Sequence, residues 1–349
     1  MLIQAMGMIF LLKNPLKFVK IKSEEFSRRS IMKKGTKSLL KASGIAAGII
    51  GFSGFLTFQE IMNRNAVLAQ KLGTLFVGPS GIPEDNSVNE AKIAWFYNQV
   101  LHEYEITNEK GFKLKAYLLP AENESDVYVF CSHGYRGNGR LEFQNMAKFY
   151  HEKGYNLFIV DHQAAGESDG TYIGFGYHEY KDCFRWLDFM RNEFGKDIQI
   201  ILHGVSMGCA TVTMMSGNDR LPANIKFTVA DCGYTSAKDE FMHNVSAVKL
   251  AAMPVMAVAD KFNKLISGYK FKDVSPLEAV KNAKVPMLFI HGSIDDFVPT
   301  KMCYELYNNC SAEDKDILIV EGAAHAESYP VDSASYEAKI NKFAEKYIR

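Results

Sequence analysis

Short apolar runs alternate with helix-patterned segments along most of this chain, from residue 126 to residue 348. Strands that alternate with helices in this way form a mainly parallel sheet, with helices covering both of its faces. The carboxyl ends of such strands, and the loops after them, then meet at one edge of the sheet. The pattern therefore predicts an α/β fold with its functional loops at that edge. The predicted strands are 126–134, 155–161, 198–204, 225–233, 285–292 and 316–325.

Two parts of the chain depart from this alternation. Residues 102–109 and 112–120 alternate apolar and polar side chains with a period of two, which predicts an entry hairpin around Lys110-Gly111. Residues 236–275 carry helical patterns and no clear strand, so we expect a small helical insertion there. We place the main domain at 100–349, with the insertion at about 236–275.

The stretch "IQIILHGVSMGCATVTMMSG" places Ser206 between a predicted strand and a predicted helix. Gly204 and Gly208 flank it and lack a Cβ, so the turn can be tight and the helix can pack closely on the strand. Such a turn would expose the hydroxyl of Ser206 at the sheet edge as a nucleophile. The five residues alone fit equally well an ordinary serine N-cap.

A serine nucleophile needs a base and an acid, and later strand ends supply both. His325 follows the last predicted strand and is the residue type best suited to a general base near neutral pH. Asp295 and Asp296 lie in the loop "HGSIDDFVP" after the preceding strand. The order serine, aspartate, histidine is that of the α/β-hydrolases and differs from the orders of the two common serine-protease folds.

An earlier strand end supplies a candidate oxyanion site. The loop "SHGYRGNG" covers residues 132–139. The backbone N–H of Tyr135 in this loop and that of Met207 after the serine are the predicted donors to a developing oxyanion, each worth about 3 kcal/mol at the transition state.

Together these motifs resemble those of a known family of enzymes. From about residue 100 onward the chain resembles the serine α/β-hydrolases, in particular a bacterial branch with an N-terminal membrane or export segment. The segments that carry it are "HGYRGN", "GVSMG", "DCGYTS", "HGSIDDFVP" and "GAAH". The family pattern H-G-x-x-D-x-x-V-P assigns the acid to Asp295 rather than Asp296. The resemblance implies two-step acyl transfer through an acyl-enzyme, with no metal and no organic cofactor. It also implies that the helical insertion at about 236–275 is a small cap that covers the pocket.

We therefore expect a serine hydrolase that acts on a small-molecule substrate, first of all a carboxylesterase for small-to-medium acyl esters. A peptidase or amidase of the same fold is the alternative within enzymes, because the fold does not distinguish ester from amide bonds. The alternative from another class is a membrane-tethered binding protein that has lost catalysis.

The N-terminal region has a different character. Residues 1–41 carry a formal net charge of +8, and the rest of the chain carries a formal net charge of −8. The acidic charge of the main part of the chain argues against nucleic acid as a partner. An uncharged run follows, so we interpret 42–61 as a membrane anchor or signal core and 62–99 as a link. The basic flank predicts a cell-membrane protein with the hydrolase outside the cytoplasm. Export with cleavage near Ala69, or a packed helix in a cytoplasmic protein, are the alternatives.

Overall fold

The computed structural model describes residues 46–66, 80–83, 85–246 and 249–349. The chain divides into two compact units. The larger unit consists of residues 77–240 and 271–349, and the smaller unit combines residues 241–270 with residues before 77. The predicted site residues all belong to the larger unit.

The larger unit is built on one eight-stranded sheet with the strand order β1-β2-β4-β3-β5-β6-β7-β8. Only β2 runs against its neighbours, since it pairs antiparallel with both β1 and β4. The remaining pairings are parallel, so the ends of β3 to β8 lie at one edge. The strands are β1 His102–Thr107, β2 Lys113–Leu119, β3 Val127–Ser132, β4 Asn156–Val160, β5 Gln199–Val205, β6 Ile225–Asp231, β7 Met287–Gly292 and β8 Lys315–Val320.

Helices connect the strands, and the predicted alternation is confirmed. In chain order after the helical residues 46–62 (α1), they are α2 Ser87–Tyr97, α3 Gly139–Phe143, α4 Ala147–Glu152, α5 Glu179–Glu193, α6 Met207–Ser216, α7 Ala237–Asn244, α8 Lys249–Ser267, α9 Pro276–Val280, α10 Thr300–Asn309, α11 Ser328–Val331 and α12 Ser333–Tyr347. One predicted helix, 142–154, is instead two short helices, α3 and α4.

Both faces of the sheet are covered by apolar side chains, as expected for buried parallel strands. Neighbouring strand residues alternate between the faces, so that Val129 packs in one cluster and Phe130 in the other. On the first face α12 contributes Phe343, and on the second α5 contributes Trp186. The six cysteines are all buried and unbridged.

The smaller unit contains α1 and α8. A Cβ added to Gly54 would lie 2.5 Å from a methyl carbon of Val258, and the rings of Phe55 and Phe262 meet edge to face with centroids 5.1 Å apart. These contacts show that the two helices pack closely. The predicted cap region is helical, and its role as a cover over a pocket remains a prediction.

The predicted membrane segment, 42–61, begins at residues that the structure does not describe. Among the described residues, no helix combines the length and the apolar character needed to cross a membrane. Membrane attachment therefore remains a prediction.

Candidate active site

Ser206 lies at the sharp turn between β5 and α6. Its backbone adopts φ 57° and ψ −114°, a conformation that non-glycine residues rarely adopt and that is typical of strained functional turns. The Ser206 N–H donates to the carbonyl oxygen of Asp231 at 2.9 Å, which fixes the turn to the end of β6. The hydroxyl thus lies at the N-terminus of α6, where the helix dipole favours negative charge.

Two glycines allow the chain to make this turn. A Cβ on Gly204 would lie 2.2 Å from the carbonyl oxygen of Gly208, and a Cβ on Gly208 would lie 1.8 Å from the carbonyl oxygen of Ser132. Neither distance is compatible with a side chain. The pattern G-x-S-x-G therefore reflects close packing of α6 against its own strand and against β3.

The structure brings the three predicted catalytic side chains into one hydrogen-bonded line. His325 Nε2 lies 2.8 Å from Ser206 Oγ, and His325 Nδ1 lies 2.7 Å from Asp295 Oδ2. In the tautomer that suits this arrangement, Nδ1–H donates to the carboxylate and Nε2 accepts the serine hydroxyl proton. The side chain of His325 is 20% exposed, whereas that of Asp295 is fully buried.

Asp295 is held as a carboxylate. Its burial acts to raise its pKa, but hydrogen bonds from His291 and His325 outweigh that cost and lower the pKa well below the usual value. Its other oxygen accepts the N–H groups of Phe297 and Val298, each at 2.9 Å. Of the two adjacent aspartates, the predicted one, Asp295, contacts His325. Asp296 is exposed.

Close contacts hold the histidine loop in place. A Cβ on Gly292, at the end of β7, would lie 2.2 Å from the carbonyl oxygen of Ala323, so the loops carrying the acid and the base are pressed together. Glu327, two residues after His325, accepts the N–H of Gly81 at 2.7 Å and the hydroxyl of Ser80 at 2.6 Å. The sequence did not indicate this role for residues 80 and 81.

The predicted oxyanion loop lies against the serine. A Cβ on Gly134 would lie 3.3 Å from Ser206 Cβ, and Tyr135 is the next residue of that loop. Met207 is the first residue of α6 and is buried. The loop and the helix start are thus adjacent to Ser206, as the prediction requires, and the role of the two N–H groups remains a prediction.

The model of the prolyl oligopeptidase family matches residues 141–349, more than half of the chain. The chain belongs to the prolyl oligopeptidase family. Among curated relatives, the uncharacterised protein YqkD of Bacillus subtilis is 28% identical over 239 residues, which cover 68% of this chain and 77% of that protein.

Solved structures of similar fold include an esterase of Pyrococcus furiosus, with a TM-score of 0.59 and 20% identity, covering 78% of this chain and 96% of that one. An acylaminoacyl peptidase of Pyrococcus horikoshii has a TM-score of 0.54 and 18% identity, covering 73% and 43% of the two chains. The predicted serine α/β-hydrolase fold is therefore confirmed, and this prolyl oligopeptidase family member is a serine hydrolase of the esterase or peptidase type.

A buried chain of hydrogen bonds lies behind the serine turn of this family member. Tyr150 Oη lies 2.8 Å from His203 Nδ1, His203 Nε2 lies 2.9 Å from Tyr336 Oη, and Tyr336 donates to Asp231 at 2.8 Å. Burial lowers the pKa of His203 to about 3, so the ring is neutral and links the two phenols. Burial also raises the pKa of Asp231 to about 7. The sequence does not indicate these partners of His203.

A second buried group supports the oxyanion loop. His133 Nδ1 lies 2.7 Å from the carbonyl oxygen of Gly134, and His133 Nε2 accepts the N–H of His162 at 3.0 Å. The ring of His162 in turn lies 2.8 Å from Ser132 Oγ. Burial lowers the pKa of both histidines, which keeps them neutral. In the part of the chain that the structure describes, no group of three or more His, Cys, Asp or Glu side chains is arranged to hold a metal ion.

Proposed function

We propose that Ser206, His325 and Asp295 form a catalytic triad, and that the protein is a serine carboxylesterase for small-to-medium acyl esters. The observation that carries this proposal is the continuous line of hydrogen bonds from the Ser206 hydroxyl through His325 to the buried Asp295 carboxylate. Each member has the chemical role that the reaction requires.

In the first step, Ser206 Oγ attacks the ester carbonyl carbon while His325 Nε2 takes the hydroxyl proton. Asp295 is ionised and accepts Nδ1–H, so it stabilises the imidazolium that forms. When the tetrahedral intermediate collapses, the bond to the alcohol oxygen breaks, and His325 returns the proton to the departing alcohol. The acyl group is then bonded to Ser206.

In the second step, water takes the place of the alcohol. His325 removes a proton from the water as its oxygen attacks the acyl carbon, and the carboxylic acid leaves when Ser206 recovers its proton. We assign stabilisation of both oxyanions to the N–H groups of Tyr135 and Met207. Met207 is the first residue of α6, whose dipole favours the developing charge.

The size of the related proteins supports an ester substrate. The alignment with the Pyrococcus furiosus esterase covers 96% of that chain, whereas the alignment with the acylaminoacyl peptidase covers 43% of that larger chain. A peptidase or amidase activity is the second candidate, and membership of the prolyl oligopeptidase family favours it. Both activities would use the same three side chains.

Turnover of matched substrates distinguishes the candidates. The protein should be assayed with p-nitrophenyl esters of increasing acyl length and with N-acetyl aminoacyl p-nitroanilides. We expect ester turnover that Ser206→Ala lowers by about 10⁶-fold in kcat. Turnover of anilides but not esters would establish the peptidase instead. A well-folded protein that turns over neither would favour the non-catalytic binding protein.

We also propose, from the basic N-terminal segment and the uncharged run after it, that the hydrolase lies outside the cytoplasm on a membrane anchor. Fractionation of cells that express the full chain tests this proposal. Recovery with the membrane supports the anchor, a mature N-terminus near Gln70 indicates export with cleavage, and recovery of the full chain with the cytoplasm contradicts both.

A further inference from the structure

One acidic side chain near the triad has no part in the mechanism above. Glu142 lies on the short helix α3, directly after the loop that carries Tyr135. Its Oε2 atom accepts the backbone N–H of Gly134 at 3.1 Å. A Cβ added to Gly134 would lie 3.0 Å from that oxygen, and one added to Gly137 would lie 3.5 Å from it. The carboxyl group therefore fills the space under this loop.

On its other side, Gly134 faces the serine turn. The same added Cβ would lie 3.3 Å from Ser206 Cβ and 3.5 Å from the carbonyl oxygen of Val205. Gly134 is thus confined between Glu142 and Ser206. Because a peptide unit is planar, this hydrogen bond fixes the plane of the His133–Gly134 peptide, which directly precedes the peptide carrying the Tyr135 N–H.

The helix that carries Glu142 is itself fixed at its start. The side chain of Asn138 caps it by accepting the N–H of Leu141 at 2.9 Å. The N–H of Gly139 donates to Asp161 at 2.8 Å, and a Cβ on Gly139 would lie 2.6 Å from the carbonyl oxygen of Val160. The short helix that carries Glu142 is therefore fixed at its start against the end of β4.

Glu142 is also electrostatically coupled to the base. Burial raises the pKa of its carboxyl group, whereas the hydrogen bond from Gly134 and the charge of His325 act in the opposite direction.

We propose that Glu142 is a positioning residue for oxyanion stabilisation: by accepting the Gly134 N–H, it holds the Tyr135 N–H where the tetrahedral intermediate requires a donor. This inference rests on the proposed function, because it assigns Glu142 a role in the same reaction.

Three variants and one control test the proposal. Glu142→Ala removes the acceptor, Glu142→Asp keeps the charge but shortens the reach, and Glu142→Gln keeps an acceptor oxygen at the same reach. Glu152→Ala, which removes a glutamate that pairs with Lys148 on the surface, is the control. The readouts are kcat and KM for a p-nitrophenyl ester, the inhibition constant of an alkyl trifluoromethyl ketone, which forms a tetrahedral adduct, and the melting temperature.

We expect the alanine and aspartate variants to lose about 10²-fold in kcat, with KM changed by less than about threefold, since a small displacement of a donor has an effect of this size. The inhibition constant of the ketone should rise by a similar factor. The glutamine variant and the control should keep at least about a third of the wild-type kcat.

Other results overturn the proposal. If Glu142→Ala and Glu142→Asp keep the wild-type kcat, or if Glu142→Gln is as impaired as Glu142→Ala, Glu142 does not act through the hydrogen bond. The proposal is also overturned if the Glu142 variants change only KM or only the melting temperature and leave kcat unchanged. If the wild-type protein does not turn over esters, the proposed function itself is overturned. If the wild type and Glu142→Ala turn over the ester equally well, only this inference is overturned.

Discussion

The Nε2 atom of His291 lies 3.1 Å from Oδ2 of Asp295, the same oxygen that His325 contacts at 2.7 Å. His291 is completely buried, and its Nε2 also lies 2.8 Å from the carbonyl oxygen of Val298. Its single N–H at that nitrogen is therefore shared between two acceptors. Asp295 is thus held from both sides, by one histidine that faces the serine and by another in the core.

His291→Phe tests this second contact while keeping an aromatic ring of similar size. Loss of the hydrogen bond should raise the pKa of Asp295 and weaken its hold on His325. We expect kcat to fall about tenfold, because a hydrogen bond to a charged group contributes about 1.5–3 kcal/mol. Steady-state kinetics with a p-nitrophenyl ester measures kcat of the variant. An unchanged kcat in a folded variant would show that His325 alone positions the Asp295 carboxylate.

Asp295→Asn and Asp296→Asn form a matched pair of adjacent substitutions. The first should lower kcat by about 10⁴-fold, because an amide favours the wrong tautomer of His325 and cannot stabilise the imidazolium. The second changes an exposed side chain and should leave kcat within about threefold of wild type. Equal losses in the two variants would contradict the assignment of the acid.

Tyr336→Phe and Tyr150→Phe separate two positions of the buried chain of hydrogen bonds. The Tyr336 hydroxyl is hydrogen-bonded to both His203 and Asp231, whereas the Tyr150 hydroxyl is hydrogen-bonded to His203. Tyr336→Phe leaves two buried groups unpaired and should lower the free energy of unfolding by about 2–4 kcal/mol. Chemical denaturation should show a smaller loss for Tyr150→Phe, and the reverse order would contradict the described partners.

Asp231→Asn should make stability less dependent on pH. Burial raises the pKa of Asp231 from its ordinary 3.8 to about 7, so the folded wild type holds a proton that the unfolded chain releases in this range. The contribution of Asp231 to the free energy of unfolding therefore falls as pH rises from about 4 to about 7, and the asparagine variant lacks this loss. As pH rises across this range, the melting temperature of the variant should rise relative to that of the wild type. Above pH 7 the difference between the two melting temperatures should be constant. A difference that is independent of pH would contradict the prediction.

The strand-end residues could be predicted because their chemistry follows from local sequence. The glycine-flanked Ser206, the aspartate of "HGSIDDFVP" and the histidine of "GAAH" each follow a strong apolar run. Parallel topology alone brings such positions to one edge. The choice of Asp295 over Asp296 came from the family pattern and agrees with the observed contact to His325.

The supporting residues could not be predicted, because their roles depend on contacts between distant segments. Glu142 lies in an ordinary helical pattern, and its role follows only from its distance to Gly134. Tyr336 and Asp231 are separated by 105 positions. The sequence does not indicate the break between α3 and α4, because helical periodicity continues across it and it contains no proline.

The site at which a fluorophosphonate probe labels the protein tests most directly whether Ser206 is the nucleophile. We expect one adduct, on Ser206 Oγ, identified by mass spectrometry of peptides from the labelled full chain. Ser206→Ala should take up no probe, whereas Met207→Leu, which keeps the backbone N–H, should be labelled as wild type. A folded wild-type protein that takes up no probe, or an adduct on another residue, would contradict the claim that Ser206 is the nucleophile.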